Sequence, residues 1–229
     1  MDIVRQLRHY RRHLVYPFAF LSLSLALFLS AQTPQPPAYS LDLIGLLTAL
    51  CGQILRFWTW GTNPAKSGMR TRGPYAFIRH PLYVGNFLIG SGLLLILDAP
   101  LARFIFLPFL ALLYLSSALD EEKRLQTKMG AAYVAYQAKV PRFLPWRGRV
   151  LAGSEPIPFD WKHARAKERD SISGWVAGAM SLEVYEALMA EGVKGMRGVT
   201  LFYLVLSSLL GLWSLSRYLR KRKGKDKIG

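Results

Sequence analysis

Five long apolar runs, separated by strongly basic segments, constrain this chain more than any other feature. Residues 14–31, 41–60, 81–97, 101–119 and 199–216 each come close to the roughly 20 residues needed to cross a bilayer core of about 30 Å. The expectation is an all-α integral membrane protein with about five transmembrane helices. A hydrophobic content of 52% and a mean hydropathy of +0.19 conceal this segregation, because the charges lie almost wholly between the runs. The net charge of +16 therefore reads as cytoplasmic loops and headgroup-facing surface. There is no recognition helix, zinc pattern or aromatic RNA motif, so nucleic acid is not an expected partner. The only cysteine, Cys51, offers neither disulfide nor metal site and is expected as a small core residue.

Arg5, Arg8, Arg11 and Arg12 precede the first run, which is too long for a signal-peptide core and has no cleavage site at its end. A retained helix with a cytoplasmic N-terminus is expected, with the loop 32–40 on the far side. The second run carries Gln53 and Arg56 and ends in Phe57-Trp58-Thr59-Trp60, an interfacial belt. Arg56 is near enough to that end to snorkel; a bundle-facing role for Gln53 or Arg56 is the other reading. Lys66, Arg70, Arg72 and Arg79 place the linker 61–80 on the cytoplasmic side. Residues 81–97 and 101–119 then make a hairpin that turns at Asp98-Ala99-Pro100, so both its ends are cytoplasmic. Four crossings leave 120–198 inside, and a fifth at 199–216 would put the basic residues 217–227 outside, against the positive-inside tendency. That conflict stands at the level of sequence.

Between the second run and the hairpin stands Arg79-His80-Pro81. Pro81 suits a first helical turn and pushes His80 out of helical geometry, so His80 is expected to hang at the interface. Gly85, Gly90, Ser91 and Gly92 make one face of the outgoing helix small, for close helix packing or for a ligand. After the return helix come Asp120, Glu121 and Glu122. Neighbours on a helix lie about 100° apart, so Glu121 and Glu122 are not expected to face one pocket. Tyr133 and Tyr136 share a face, and Val140-Pro141-Arg142-Phe143-Leu144-Pro145 ends the helix and closes back on the membrane surface. Beyond a loop at Pro156 and Pro158, residues 161–170 read as a charged helical stretch and 175–191 as an interfacial amphipathic helix. The chain divides into N-terminal membrane helices (1–60), a core of linker, hairpin and following segment (61–147), an interfacial segment (148–198), and a last apolar run with its basic tail (199–229).

The two cytoplasmic stretches around the hairpin resemble the isoprenylcysteine carboxyl methyltransferase family and the related phospholipid methyltransferases. The resemblance rests on Gly73-Pro74-Tyr75, Arg79-His80-Pro81-Leu82-Tyr83-Val84-Gly85, Glu121-Glu122, Gly130, Tyr133, Tyr136 and Arg142-Phe143-Leu144-Pro145, over roughly residues 60–147. It implies S-adenosylmethionine as methyl donor, held in a pocket on the cytoplasmic side. The cofactor-binding residues it implies are Ser67, Gly68, Met69, Arg70, Tyr75, His80, Pro81, Leu82 and Tyr83. To these it adds Glu121, Glu122, Tyr133, Tyr136 and the small pair Gly90 and Gly92. The catalytic candidates are His80, Glu122 and Arg79; no metal is implied. A Glu can accept from the ammonium or ribose hydroxyls, and aromatic rings can pack against the sulfonium or adenine.

One position departs from the pattern. Carboxyl-methylating members place an Arg four residues before the cofactor Glu, and here that position is Ser117. The acceptor is therefore open among a lipid amine, a carboxylate, a thiol or another amphipathic small molecule. The expected location is a bacterial inner membrane or an endoplasmic-reticulum-type membrane, with the active site facing the cytoplasm. The alternative is a non-enzymatic membrane scaffold or small transporter subunit that retains the fold.

Overall fold

The computed structural model describes residues 39–63, 68–97, 99–146 and 158–191, with five further positions between 205 and 212. The first apolar run, Ser67, Asp98, most of the last run and the basic tail lie outside the described residues. Among the described residues the chain is all-helical, without a strand: α1 (Tyr39–Gly61), a short 3-10 turn (Gly73–Ala76), α2 (Pro81–Ile96), α3 (Pro100–Met129), α4 (Ala131–Lys139) and α5 (Trp161–Glu191).

Among the described residues two helices, α1 and α3, are long and apolar enough to cross a membrane; the first of the five expected spans and most of the last fall outside the described residues. The hairpin's outgoing arm is α2, whose 16 residues make about 24 Å of helix, short of a straight crossing. The distribution of side chains inverts that of a water-soluble bundle. Leu43, Leu47, Leu50 and Ile54 form an exposed stripe on α1, and Phe104 of α3 is 80% exposed, whereas Gln53, Thr59, Asn63 and Glu168 are buried. Contiguous exposed apolar surface around a polar interior marks a membrane or partner environment. Cys51, expected in the core, faces outward on α1.

Glycines set how closely α1 and α2 approach. A Cβ at Gly92 would stand 2.4 Å from Gly45 O, and one at Gly52 would stand 2.5 Å from Gly85 O. Backbone cannot yield at that distance, so these positions let two helices touch through their main chains. Pro81 opens α2 at its first turn and Pro100 opens α3 in the same way. The 30 residues of α3 make about 45 Å of helix, more than the apolar part 101–119 alone supplies. Residues 120–129 thus continue past the apolar section as the same helix. Gly130 stops it with φ +58 and open space where a Cβ would stand, so the positive φ itself calls for glycine. Then α4 folds back, and Tyr133, Tyr136 and Val140 pack with Met69, Leu125 and Met129.

The largest departure from expectation is α5. In place of a charged stretch and a separate interfacial helix, Trp161–Glu191 is one helix of 31 residues. Asp160 caps it, its Oδ1 accepting from His163 N at 2.8 Å. Asp160 N also donates to Gly61 O at 2.9 Å, and Phe159 fills the space beside Gly61. From there α5 runs back along α1: Glu168 meets Arg56 and Gln53, and Trp175 meets Gln53. At the other end Ala179 and Leu182 join Ile96, Leu97, Ala99, Ala102 and Phe106 at the α2–α3 turn. A periodicity argument misses this because the face toward α1 is polar, and its polarity is satisfied only by partners on another helix.

Candidate functional site

The start of α2 and the end of α3 meet at one end of the bundle, and backbone hydrogen bonds fix the meeting. Arg79 N donates to Pro141 O (2.8 Å) and His80 N to Arg142 O (3.2 Å). The segment expected to close on the membrane surface therefore closes on Arg79 and His80. Tyr136 Oη donates to Tyr75 O at 2.8 Å, tying the 3-10 turn to α4. Gly73 has φ +57, and a Cβ there would strike Thr62 Oγ1, so this turn also needs glycine.

At the centre is Glu122, 5% exposed. Its Oε1 accepts from Arg79 Nη1 (2.7 Å), Arg142 Nε (3.0 Å) and His80 Nε2 (3.0 Å), and its Oε2 from Arg142 Nη2 (2.8 Å). Arg79 Nε is further held by Val140 O at 2.8 Å. Burial would raise the Glu122 carboxyl, but the donors from Arg142, His80 and Arg79 outweigh it and hold the group below the usual carboxylate range. The same contact holds the Arg142 guanidinium above its ordinary value.

Glu121 differs from its neighbour. Its side chain is 33% exposed against 7% for Glu122. His80 Nδ1 lies 3.7 Å from Glu121 Oε2. The neighbouring His80 ring, and after it Tyr83, holds the Glu121 carboxyl below its ordinary range against its partial burial. Glu121 and Glu122 were expected not to face one pocket, and their carboxylates lie in different surroundings. They diverge on the helix, but His80 sits on the ridge between them and meets each with a different ring nitrogen. Nor does His80 hang at the interface: it is 4% exposed. Its ring stacks on Tyr83 at 5.5 Å and 18° and tilts against Phe143 at 5.9 Å, while Tyr83 stacks on Tyr114 at 5.9 Å.

The other residues singled out from sequence fall into three places. Gly68 is exposed and open, Met69 packs under Tyr133 and Tyr136, and the Arg70 guanidinium lies 5.0 Å over the Trp60 ring. Burial raises the Tyr75 hydroxyl, with Arg70 opposing it. Pro81 is fully buried and Leu82 half-buried at the start of α2. Tyr133 and Tyr136 are core residues, with rings 5.9 Å apart. Burial, then the Glu122 charge, pushes Tyr133 up to about 12, and burial beside Tyr133 and Tyr75 pushes Tyr136 up as well. The Tyr136 hydroxyl holds the linker at Tyr75 O, and the cluster that Tyr133 shares with it packs against Met69. Gly90 faces Leu110 of α3, and Gly92 is consumed by the contact with α1. Along α2 they lie about 15 and 18 Å from His80.

Sequence reasoning missed Glu168 and the role of Arg142. Arg142 stood in the closing motif without a partner to its name. Glu168 is one charge among many in residues 161–170, so nothing marked it as the buried one. Gln53 and Arg56 were legible as polar residues inside an apolar run, and the structure turns both inward, toward Glu168, rather than out to snorkel.

An all-helical bundle with two membrane-length helices and a buried Arg-His-Glu cluster at one end is the class of structure these observations define. Residues 44–127 match the model of the isoprenylcysteine carboxyl methyltransferase (ICMT) family. The match spans somewhat over a third of the chain and contains α2, α3 up to Thr127, and the His80, Glu121 and Glu122 constellation; the family is a methyltransferase family. Arg142, Tyr136 and the whole of α5 lie outside it. No curated protein and no solved structure matches the chain.

Proposed function

We propose that this chain is an integral membrane methyltransferase that uses S-adenosylmethionine to methylate a lipophilic or amphipathic small acceptor at the cytoplasmic face of its membrane. The observation that carries this reading is the convergence of the two motif halves on His80, with Glu121 left a third exposed beside Tyr83 while Glu122 is saturated. The methyl donor is a cation with a further ammonium, and an ionised, partly exposed carboxylate flanked by aromatic rings fits such a ligand. Glu121 would hold the ammonium or ribose hydroxyls, and Gly68, open to solvent, leaves backbone free to approach. When bound, the cofactor supplies an activated methyl group on sulfur.

The chain's own residues supply position. Glu122 and its two arginines lock the end of α3 to the linker, and His80 transmits that lock to the Glu121 carboxylate. Tyr83, Tyr114 and Phe143 provide an aromatic wall that excludes water. Methyl transfer asks for this alignment more than for acid–base chemistry. Glu122, committed to four donor contacts, acts as an anchor rather than a proton acceptor. Arg70, Arg72, Arg79, Lys123, Arg124 and Arg142 gather at this end of the bundle, which supports the cytoplasmic orientation.

Calorimetric titration of the detergent-purified protein with S-adenosylhomocysteine tests the reading. Saturable binding that Glu121→Ala abolishes supports it. A folded wild type that binds nothing refutes it and favours a scaffold that keeps the fold.

A further inference from the structure

A cleft of about 840 Å³ opens beside α5, away from the candidate site, and its lining changes character along the helix. Lys162, Arg165 and Arg169 line the end near the start of α5, and Ile172 and Val176 line the part beyond. These positions recur at three- and four-residue spacing, so they share one face of the helix. Glu168 and Trp175, which dock on α1, lie on a different face. Lys162, Arg165, Arg169 and Ile172 are exposed.

The three cations are not offset by the protein. Among the described residues none of them meets a carboxylate; Arg165 Nε reaches only Trp161 O of its own helix, at 3.4 Å. Asp160 is used as the cap, and Glu168 is used by Arg56 and Gln53. The first turn of α5 holds no acidic residue, and a helix dipole disfavours cations at that end. The level of the cluster is fixed by two contacts with the end of α1. Asp160 N bonds Gly61 O, and Lys167 Nζ lies 5.3 Å over the Trp60 ring. The cations therefore stand level with the Trp58 and Trp60 end of α1, where an interfacial belt is expected. Long helical side chains lean toward the N-terminus, so Arg165 and Arg169 reach toward Lys162 and the headgroups. Ile172 and Val176 stand about 15 and 21 Å further along the axis from Lys162, in the apolar layer.

We propose that this cleft binds an anionic glycerophospholipid of the surrounding membrane, its phosphate on Lys162, Arg165 and Arg169 and an acyl chain along Ile172 and Val176. Basic pockets at the headgroup level of helical membrane proteins take such lipids. A zwitterionic lipid would set its own ammonium among three cations. A free phosphate would leave the apolar half of the cleft uncovered. The N-terminal segment of the chain, with Arg5, Arg8, Arg11 and Arg12, has the same sign as the cleft and cannot neutralise it. The inference is independent of the methyltransferase reading.

The test is calorimetric titration of the full-length protein in detergent with dioleoyl phosphatidylglycerol and dioleoyl phosphatidylcholine. The two share their acyl chains, so the ratio of affinities cancels partition into micelles. The wild type is expected to bind the anionic lipid saturably and in preference. One charge-assisted contact to phosphate is worth roughly tenfold in affinity, so Arg165→Gln with Arg169→Gln is expected to lower the ratio by about tenfold or more. Arg165→Lys with Arg169→Lys keeps the charges and is expected to keep the preference. Lys128→Gln with Lys139→Gln removes the same charge from exposed residues of α3 and α4 outside the cleft, and is expected to leave the ratio unchanged. Equal affinity of the wild type for the two lipids overturns the proposal, as does an unchanged ratio in the Arg165→Gln, Arg169→Gln variant. An equal fall in the Lys128→Gln, Lys139→Gln variant also overturns it, by showing diffuse charge in place of a site. Inorganic phosphate that displaces the lipid at equal concentration overturns it in favour of a free-anion site. S-adenosylhomocysteine titration of the same samples reports the methyltransferase reading separately.

Discussion

Replacing Glu122 by Ala removes the acceptor of four donor contacts and leaves two guanidinium groups without their counter-ion. Breaking a buried ion pair from one side costs about 3–5 kcal/mol. Arg142 is a third exposed and recovers part of its hydration, as exposed pairs do, whereas Arg79 at 14% recovers less. The lower end of the range therefore applies, about 3 kcal/mol. At roughly 2–4 °C per kcal/mol for a chain of this length, the melting temperature in detergent should fall by about 6–12 °C. Glu121→Ala, one residue away, removes a 3.7 Å contact to His80 and a 3.8 Å contact to the exposed Arg124, a loss of about 1 kcal/mol or less. Scanning fluorimetry and calorimetric titration with S-adenosylhomocysteine should separate the two: Glu122→Ala unstable, Glu121→Ala stable but unable to bind. Equal melting temperatures for Glu122→Ala and wild type would refute the anchor role, and normal binding by Glu121→Ala would refute its role toward the cofactor.

Gly92→Ala puts a Cβ into Gly45 O and Ala49 N, and overpacking of this kind costs about 1–3 kcal/mol; Gly68→Ala meets open space and should melt as wild type does. His80→Ala should lose S-adenosylhomocysteine binding while the protein still inserts, which calorimetry on the membrane-extracted variant checks. Tyr133 has its pKa raised from 10.0 to about 12, so its stabilising contribution is complete below pH 10 and disappears as pH climbs through 12; an alkaline melting series should show this loss in the wild type and not in Tyr133→Phe. In a Cys51→Ala background, Arg165→Cys and Glu186→Cys should react with a membrane-impermeant thiol reagent from opposite sides, because α5 runs the height of α1; labelling from one side only would refute that crossing.

The legible parts of the fold share one property: their signal is local. Pro81 and Pro100 open helices because a missing N–H and a fixed φ suit a first turn, and Gly130 ends one because it alone takes the positive φ. The apolar runs at 41–60 and 101–119 became the two membrane-length helices. The candidate site was legible as a pair of spaced motifs, with His80, Glu121 and Glu122 drawn together by a hairpin whose ends had to meet. Their division of labour was not legible. Two adjacent Glu residues look alike until the surroundings give one of them Arg79 and Arg142 and leave the other beside Tyr83 and solvent. Gly90 and Gly92 looked equivalent for the same reason, and only the neighbouring helices distinguish them.

By itself the sequence determined an all-helical, membrane-directed chain, the stops and starts of its central helices, and the family its core resembles, because period, proline, glycine and apolar run length act within one stretch of backbone. The tertiary structure alone decided that residues 161–191 form one helix laid along α1, that Glu168 is the buried charge among its charged neighbours, and that Glu122 anchors while Glu121 stays available. Each of those outcomes depends on which groups from distant segments share a low-dielectric space, where the worth of a charge is set by its partners rather than by its place in the chain.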